Sequence, residues 1–197
     1  MSPFPEAWRS AYDLIYCDPP WAYSVWSHKG EGRGAKMHNP TMAIDDICAL
    51  PVADIAAPNA VLMMWATSPH LPQGLRVIES WGFTFKTVAF TWVKTNIDGS
   101  PFLGMGFYTR QNAEYCLLAT RGNPLPRFDH GVPSVILSRR RAHSQKPDGV
   151  YDHIERLFGT DIRRLEMFSR QSWPGWERWG FDAPEHERLA LPMEAAA

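Results

Sequence analysis

The 197-residue chain holds only three cysteines, Cys17, Cys48 and Cys116, scattered and without the short spacings of a metal site. That excludes a disulfide scaffold and a cysteine-ligated metal centre, and the thiols read as reduced core residues. No metal is expected. No apolar run approaches the ~18 residues that a bilayer-spanning helix needs. The N-terminal Met1-Ser2-Pro3-Phe4-Pro5-Glu6 has neither a basic start nor an apolar stretch behind it, so no secretory leader is expected. Excess charge is missing too: 20 basic against 21 acidic side chains leave a net charge of −1. A uniformly basic nucleic-acid domain is thereby excluded, leaving room only for local basic patches. No internal repeat is found, which removes solenoids. The expectation is a reduced, cytoplasmic protein with no membrane attachment.

What remains is dense in apolar and aromatic residues, at 45% and 13% of the chain, which suits one globular domain. Residues 1–182 are read as that domain and residues 183–197 as a polar, Ala-rich tail that frays. Nine Trp are an excess that serves either a core or a nucleobase site.

The most telling stretch is Asp18-Pro19-Pro20-Trp21. It follows the apolar run Tyr12–Cys17, which reads as a short buried strand. A strand ending this way sets a carboxylate at the mouth of a sheet. Two prolines hold the next residues extended, and their carbonyls are expected to face outward as open acceptors. A flat aromatic follows. Acceptors beside a plate suit a planar ring that carries an amino group; the plainer reading is a Pro-rich turn with Trp21 in the core.

Strands are predicted at Asp13–Cys17, Ala60–Ala66, Thr84–Val93, Glu114–Ala119, Ser134–Leu137 and Arg164–Phe168. Thr41 is expected to cap a helix running to about Leu50. Ser68 is expected to cap a second, with Pro69 at its first position, Gly82 after its end and an apolar face of Leu71, Leu75, Ile78 and Trp81. A third runs from Asp148 to Phe158 and stops at Gly159. Strands alternating with helices predict an α/β fold, a mostly parallel sheet with helices on both faces. Ligands of such sheets bind beyond the carboxyl ends of the strands, which puts Asp18 and the residues after Phe168 on one rim. Two stretches mix basic residues with loop character: Ala22–Pro40, and Arg139–Lys146, where a phosphate or carboxylate contact is expected.

Ordered blocks along the chain resemble the adenine-N6 methyltransferases that carry Asp-Pro-Pro-Trp, the MT-A family, which includes the catalytic subunit of the eukaryotic messenger-RNA adenosine methyltransferase and bacterial and phage relatives that modify DNA. After the tetrapeptide come Thr41-Met42 with Asp45-Asp46, Leu62-Met63-Met64-Trp65-Ala66-Thr67, Trp92-Val93-Lys94-Thr95-Asn96 and Glu114-Tyr115-Cys116-Leu117. Arg121-Gly122-Asn123-Pro124, His143-Ser144-Gln145-Lys146-Pro147-Asp148, Ile154-Glu155-Arg156-Leu157 and Glu166-Met167-Phe168-Ser169-Arg170 complete the series. The resemblance implies a Rossmann-like methyltransferase fold, circularly permuted so that the catalytic strand comes first and the donor-binding strand last. It implies S-adenosylmethionine as cofactor and a nucleic acid as substrate, DNA ahead of RNA, from a bacterial or phage setting. A homodimer or a partner subunit is expected to aid target recognition. A non-catalytic nucleic-acid-binding subunit is the reading from another class; it is disfavoured because Asp18, Lys146 and Arg170 are all kept.

By the same resemblance Asp18, Pro19, Pro20 and Trp21 are the catalytic residues. Asp18 and the Pro19 carbonyl would accept the hydrogens of the adenine amino group, and Trp21 would stack on the base. Lys146 would meet the donor carboxylate. Phe168, Ser169, Arg170, Gln171, Ser172 and Trp173 would line the donor site after the last strand. The family's Gly-Asn is Gly180-Phe181 here, so Asp182 is expected to take over the ribose contact. On the substrate side stand Tyr23, Trp92, Lys94, Arg141 and His143, with Trp92 equally readable as a core residue. Glu114 reads either as the holder of a neighbouring loop or as half of a structural ion pair.

Overall fold

The computed structural model describes residues 2–22, 41–140, 145–170 and 172–180. Expectations for Tyr23, Arg141, His143, Gln171, Phe181, Asp182 and the tail 183–197 fall outside the described residues, as does most of the segment 22–40.

Seven strands among the described residues form one sheet: β1 Tyr12–Cys17, β2 Ala56–Thr67, β3 Thr84–Thr95, β4 Ala113–Arg121, β5 Val135–Arg139, β6 Arg164–Met167 and β7 Glu177–Trp179. Their spatial order is β5-β3-β4-β2-β1-β6-β7. β4 pairs antiparallel with both β2 and β3, and every other pairing is parallel. The mostly parallel sheet read from the sequence is therefore present, with one reversed strand inside it. That reversal has a local consequence. The amino end of β4, at Glu114, lies on the same rim as the carboxyl ends of its neighbours.

Side chains alternate across the strands, as the pleat requires. In β2, Ala60, Leu62, Met64 and Ala66 face one core, while Val61, Met63 and Trp65 face the other. Helices α1 (Ile44–Cys48), α2 (Val52–Ile55) and α3 (Leu71–Ser80) supply Ile47, Val52, Ile55, Val77 and Ile78 to the first core. Helix α4 (Gly149–Phe158) buries Val150, Tyr151, Ile154 and Phe158 in the second. Each such side chain stabilises by about 1.5–3 kcal/mol relative to exposure. The chain thus leaves β1 over one face and reaches β6 over the other. The rim where β1 and β6 end side by side is the crevice such sheets use for ligands.

Several boundaries differ from the sequence reading. The helix expected after Thr41 is two short pieces, because Pro51 restarts the chain as the cap of α2; Ala43, not Thr41, precedes α1. Ser68, Pro69 and His70 form a 3-10 turn, and α3 begins only at Leu71. Leu75, expected on its buried face, is 42% exposed, since Gly74, Val77 and Ile78 make the contact instead. α4 matches its expected span and ends at Gly159, whose φ of 78 is one that a side chain would resist. β7 was not anticipated. The Tyr12 hydroxyl, donating to Glu177 Oε2 at 2.7 Å, ties it back across β6 to β1.

Candidate active site

Asp18 leaves the end of β1, where Cys17 pairs with Met64 of β2 and Met167 of β6. The prolines after it form a tight turn. The Trp21 N–H donates to the Pro19 carbonyl at 2.8 Å, a three-residue turn whose central φ suits Pro20. The Met42 N–H donates to the Pro20 carbonyl at 2.9 Å, so the segment runs beside Thr41-Met42. The two prolyl carbonyls are therefore not both open, as the sequence suggested. Each already holds one backbone N–H, and only its second lone pair is left for another donor.

Trp21 also differs from expectation. Its indole is 4% exposed, donates to the Trp65 carbonyl at 3.1 Å and stacks on His70 at 5.6 Å. Burial and these contacts set the indole in the core beside the turn that follows Asp18.

The Asp18 carboxylate heads a row of alternating charges. Lys146 Nζ, just before α4, bonds Asp18 Oδ2 at 2.5 Å and lies 3.3 Å from Glu114 Oε2. The other Glu114 oxygen, Oε1, accepts from Lys94 Nζ of β3. Both ammoniums sit over indoles, Lys146 over Trp65 at 5.7 Å and Lys94 over Trp92 at 4.8 Å. Beneath them the Trp65 N–H donates to the Tyr16 hydroxyl at 2.6 Å, bracing β2 against β1. Burial works to push Glu114 up, yet Lys146 and Lys94 outweigh it and hold the carboxyl down at about 2. Burial works equally against the Lys146 ammonium, which Asp18 and Glu114 keep firmly charged. For Asp18 burial wins: its carboxyl is raised, with Lys146 pulling it down and Glu114 pushing it up.

The MT-A70 family model matches residues 12–182. The chain belongs to the MT-A70 family. It is 33% identical over 207 aligned residues to "Type II methyltransferase M.MunI" of Mycoplasma sp, a match that covers 97% of this chain and 85% of that one. It is 28% identical over 170 residues to the human N(6)-adenosine-methyltransferase catalytic subunit METTL3. It is 29% identical over 170 residues to the Drosophila melanogaster N(6)-adenosine-methyltransferase MT-A70-like protein. Each of these matches covers 84% of this chain but only 27% and 26% of the animal proteins, so the chain spans about a quarter of their length. This MT-A70 chain is a methyltransferase. No helix among its described residues is long and apolar enough to cross a membrane.

In this MT-A70 sheet the residues expected on the donor side follow β6. Phe168 is buried, packs edge-on against Trp179 at 5.5 Å and takes a φ of 61, a left-handed backbone that an aromatic residue adopts only under constraint. That turn brings Ser169 N to the Trp179 carbonyl at 3.1 Å. Gly180 approaches so closely that a Cβ there would lie 2.4 Å from Ser169 N. Arg170 and Ser172 are exposed beyond the turn, and the charge of Arg170 reaches Asp18. Trp173, expected at the donor, stacks on Tyr151 of α4, 4.5 Å between centroids and 9° from parallel. Trp92, expected in the base pocket, is 3% exposed and donates to the Ser138 carbonyl at 3.3 Å, a core placement. Lys94 reaches the rim, where it pairs with Glu114.

Glu166 of β6 had no assigned role. Its Oε1 accepts from the Tyr151 hydroxyl at 2.9 Å and its Oε2 from the Ser169 hydroxyl at 3.1 Å. Burial pushes it up to about 7, the hydroxyls pulling it down and the Asp18 charge adding to the rise. The signal was available: Glu166 interrupts the apolar strand Leu165-Glu166-Met167-Phe168.

Proposed function

We propose that the protein transfers the methyl group of S-adenosylmethionine to N6 of adenine in DNA. The observation that carries this reading is Asp18 at the carboxyl end of β1, bonded to Lys146 and facing the turn after β6. The residues fit the donor. Lys146 is a half-buried ammonium for its carboxylate, and Asp18 and Glu166 give the crevice the acidic character that a sulfonium favours. The turn at Phe168 and Ser169, with no room for a side chain at position 180, shapes a backbone cradle. When bound, the donor supplies an electrophilic methyl.

The chain's own part is to hold and polarise the amino group. Its nitrogen is a poor nucleophile because its lone pair is delocalised into the ring. The Asp18 carboxylate accepts one amino hydrogen, and the remaining lone pair of the Pro19 carbonyl accepts the other. Both bonds strengthen as positive charge grows on nitrogen, so they stabilise the transition state more than the ground state. An adenine within a duplex must first be turned out of the stack, at a cost of a few kcal/mol. Adenine N6 is supported by the names of the animal relatives. DNA is favoured because the relative that the chain matches along nearly its whole length is a type II methyltransferase.

A transfer assay with labelled donor on single-stranded DNA, duplex DNA and RNA tests the reading. Transfer to DNA by wild type, falling at least roughly a hundredfold in Asp18→Asn, is expected. Full activity in that variant overturns the assignment of Asp18, and transfer to RNA alone overturns the choice of polymer.

A further inference from the structure

We infer that Glu114 is a positioning residue: it holds the Lys146 ammonium at the donor crevice by a bond independent of Asp18, so that Lys146 stays in place when Asp18 turns to the substrate. The inference rests on the proposed donor contact of Lys146. Asp18 and Lys146 face conflicting demands. In the structure Lys146 and Asp18 occupy one another at 2.5 Å. The proposed chemistry asks both for more, a donor carboxylate on Lys146 and an amino group on Asp18. A lysine held by Asp18 alone would lose its anchor at the moment it is needed, because its four-carbon stem is flexible.

Glu114 supplies a second anchor from another strand. Its two oxygens are divided, Oε2 toward Lys146 at 3.3 Å and Oε1 to Lys94. β4 fixes its backbone between Thr67 of β2 and Trp92 of β3. Its side chain is 13% exposed, so its charge acts with little screening. Lys94 completes the row of two carboxylates and two ammoniums. With that balance Lys146 can exchange Asp18 for an incoming carboxylate without stranding a buried charge.

A purely structural role makes a different forecast. If Glu114 only neutralises Lys94, then removing both together, Glu114→Gln with Lys94→Met, leaves the neutral Asp18–Lys146 pair and normal donor binding. If Glu114 positions Lys146, that double variant still binds donor weakly. The measurement is calorimetric binding of S-adenosylmethionine to wild type, Glu114→Gln, Glu114→Gln/Lys94→Met, Lys146→Met and Glu114→Gln/Lys146→Met, with thermal unfolding to establish that each is folded. We expect donor Kd to rise roughly tenfold or more in Glu114→Gln and in the charge-balanced double variant. Adding Glu114→Gln to Lys146→Met should change little, because residues that act through one another are non-additive. Normal donor affinity in the charge-balanced variant, or an undiminished effect of Glu114→Gln on the Lys146→Met background, overturns the inference. Wild type that binds no S-adenosylmethionine overturns the proposed function itself, a separate outcome from insensitive variants of a donor-binding protein.

Discussion

Glu114 and Glu166 are both half-enclosed carboxylates on the rim, one on the β4 side of Asp18 and the other on the β6 side, and they are held by opposite means. Glu114 is gripped by two ammoniums and kept ionised, at about 2. Glu166 meets two hydroxyls and is raised to about 7. Hydroxyls are dipoles, and at this depth they do not replace the water that a carboxylate gives up. The crevice therefore has a side of fixed charge, suited to gripping an ion, and a side whose charge changes near neutrality.

The largest expected break in this comparison is Lys146→Met, which removes the cation shared by Asp18 and Glu114. Donor affinity should fall by roughly a hundredfold, since truncating one member of a buried charge pair costs about 2–5 kcal/mol. Asp18 should titrate still higher without its Lys146 partner, moving the acid limb of any residual activity upward. A pH–rate profile and donor titration check both.

Next in size is the pH dependence of stability, where the two acids have opposite signs. Glu114 is depressed on folding. Its contribution is full above about 4.5 and is lost as pH falls toward about 2. Glu166 is raised on folding. Its contribution is full below about 4.5 and is lost as pH rises through about 7. Each spans on the order of 3 kcal/mol. Glu166→Gln should flatten the decline between pH 4.5 and 7.5, whereas Glu114→Gln should flatten the acid side alone. Denaturant midpoints measured across pH 3–8 separate the two, and a common response would erase the distinction.

How much of this was legible in the sequence follows the range of the interactions. The Tyr12–Cys17 run, Asp18 at its end and the stop of α4 at Gly159 are local, and the chain states them directly. The pairing of Glu114 with Lys146 is not local. It depends on β4 running backward, which no periodicity reveals, because an alternating strand reads the same in either direction. Trp21 and Trp92 were open for another reason: an indole suits a core and a base equally, and only packing decides. The prolyl carbonyls looked free because proline lacks a donor, but acceptors are filled by other residues' donors, Trp21 and Met42. Glu166 stood out against its apolar neighbours, yet its hydroxyl partners come from α4 and from the turn after β6.

The finest test concerns the hydroxyls. Ser169→Ala removes the donor to Glu166 Oε2 and leaves Tyr151 on Oε1. A hydrogen bond to the ionised form favours that form, so its loss should push Glu166 further up. The folded protein would then hold its proton to a higher pH, and the upper edge of the stability decline should move above about 7. The cost at pH 8 should be about 1.5–3 kcal/mol, the worth of one hydrogen bond to a charged group. Below pH 4.5 the variant should match wild type more closely, because the protonated acid depends less on that donor. Stability curves in the absence of donor read this directly. An unshifted edge would mean that Ser169 stabilises the turn after β6 without setting the charge of Glu166. The contrast between the ammonium-held and the hydroxyl-held acid would then rest on Tyr151 alone.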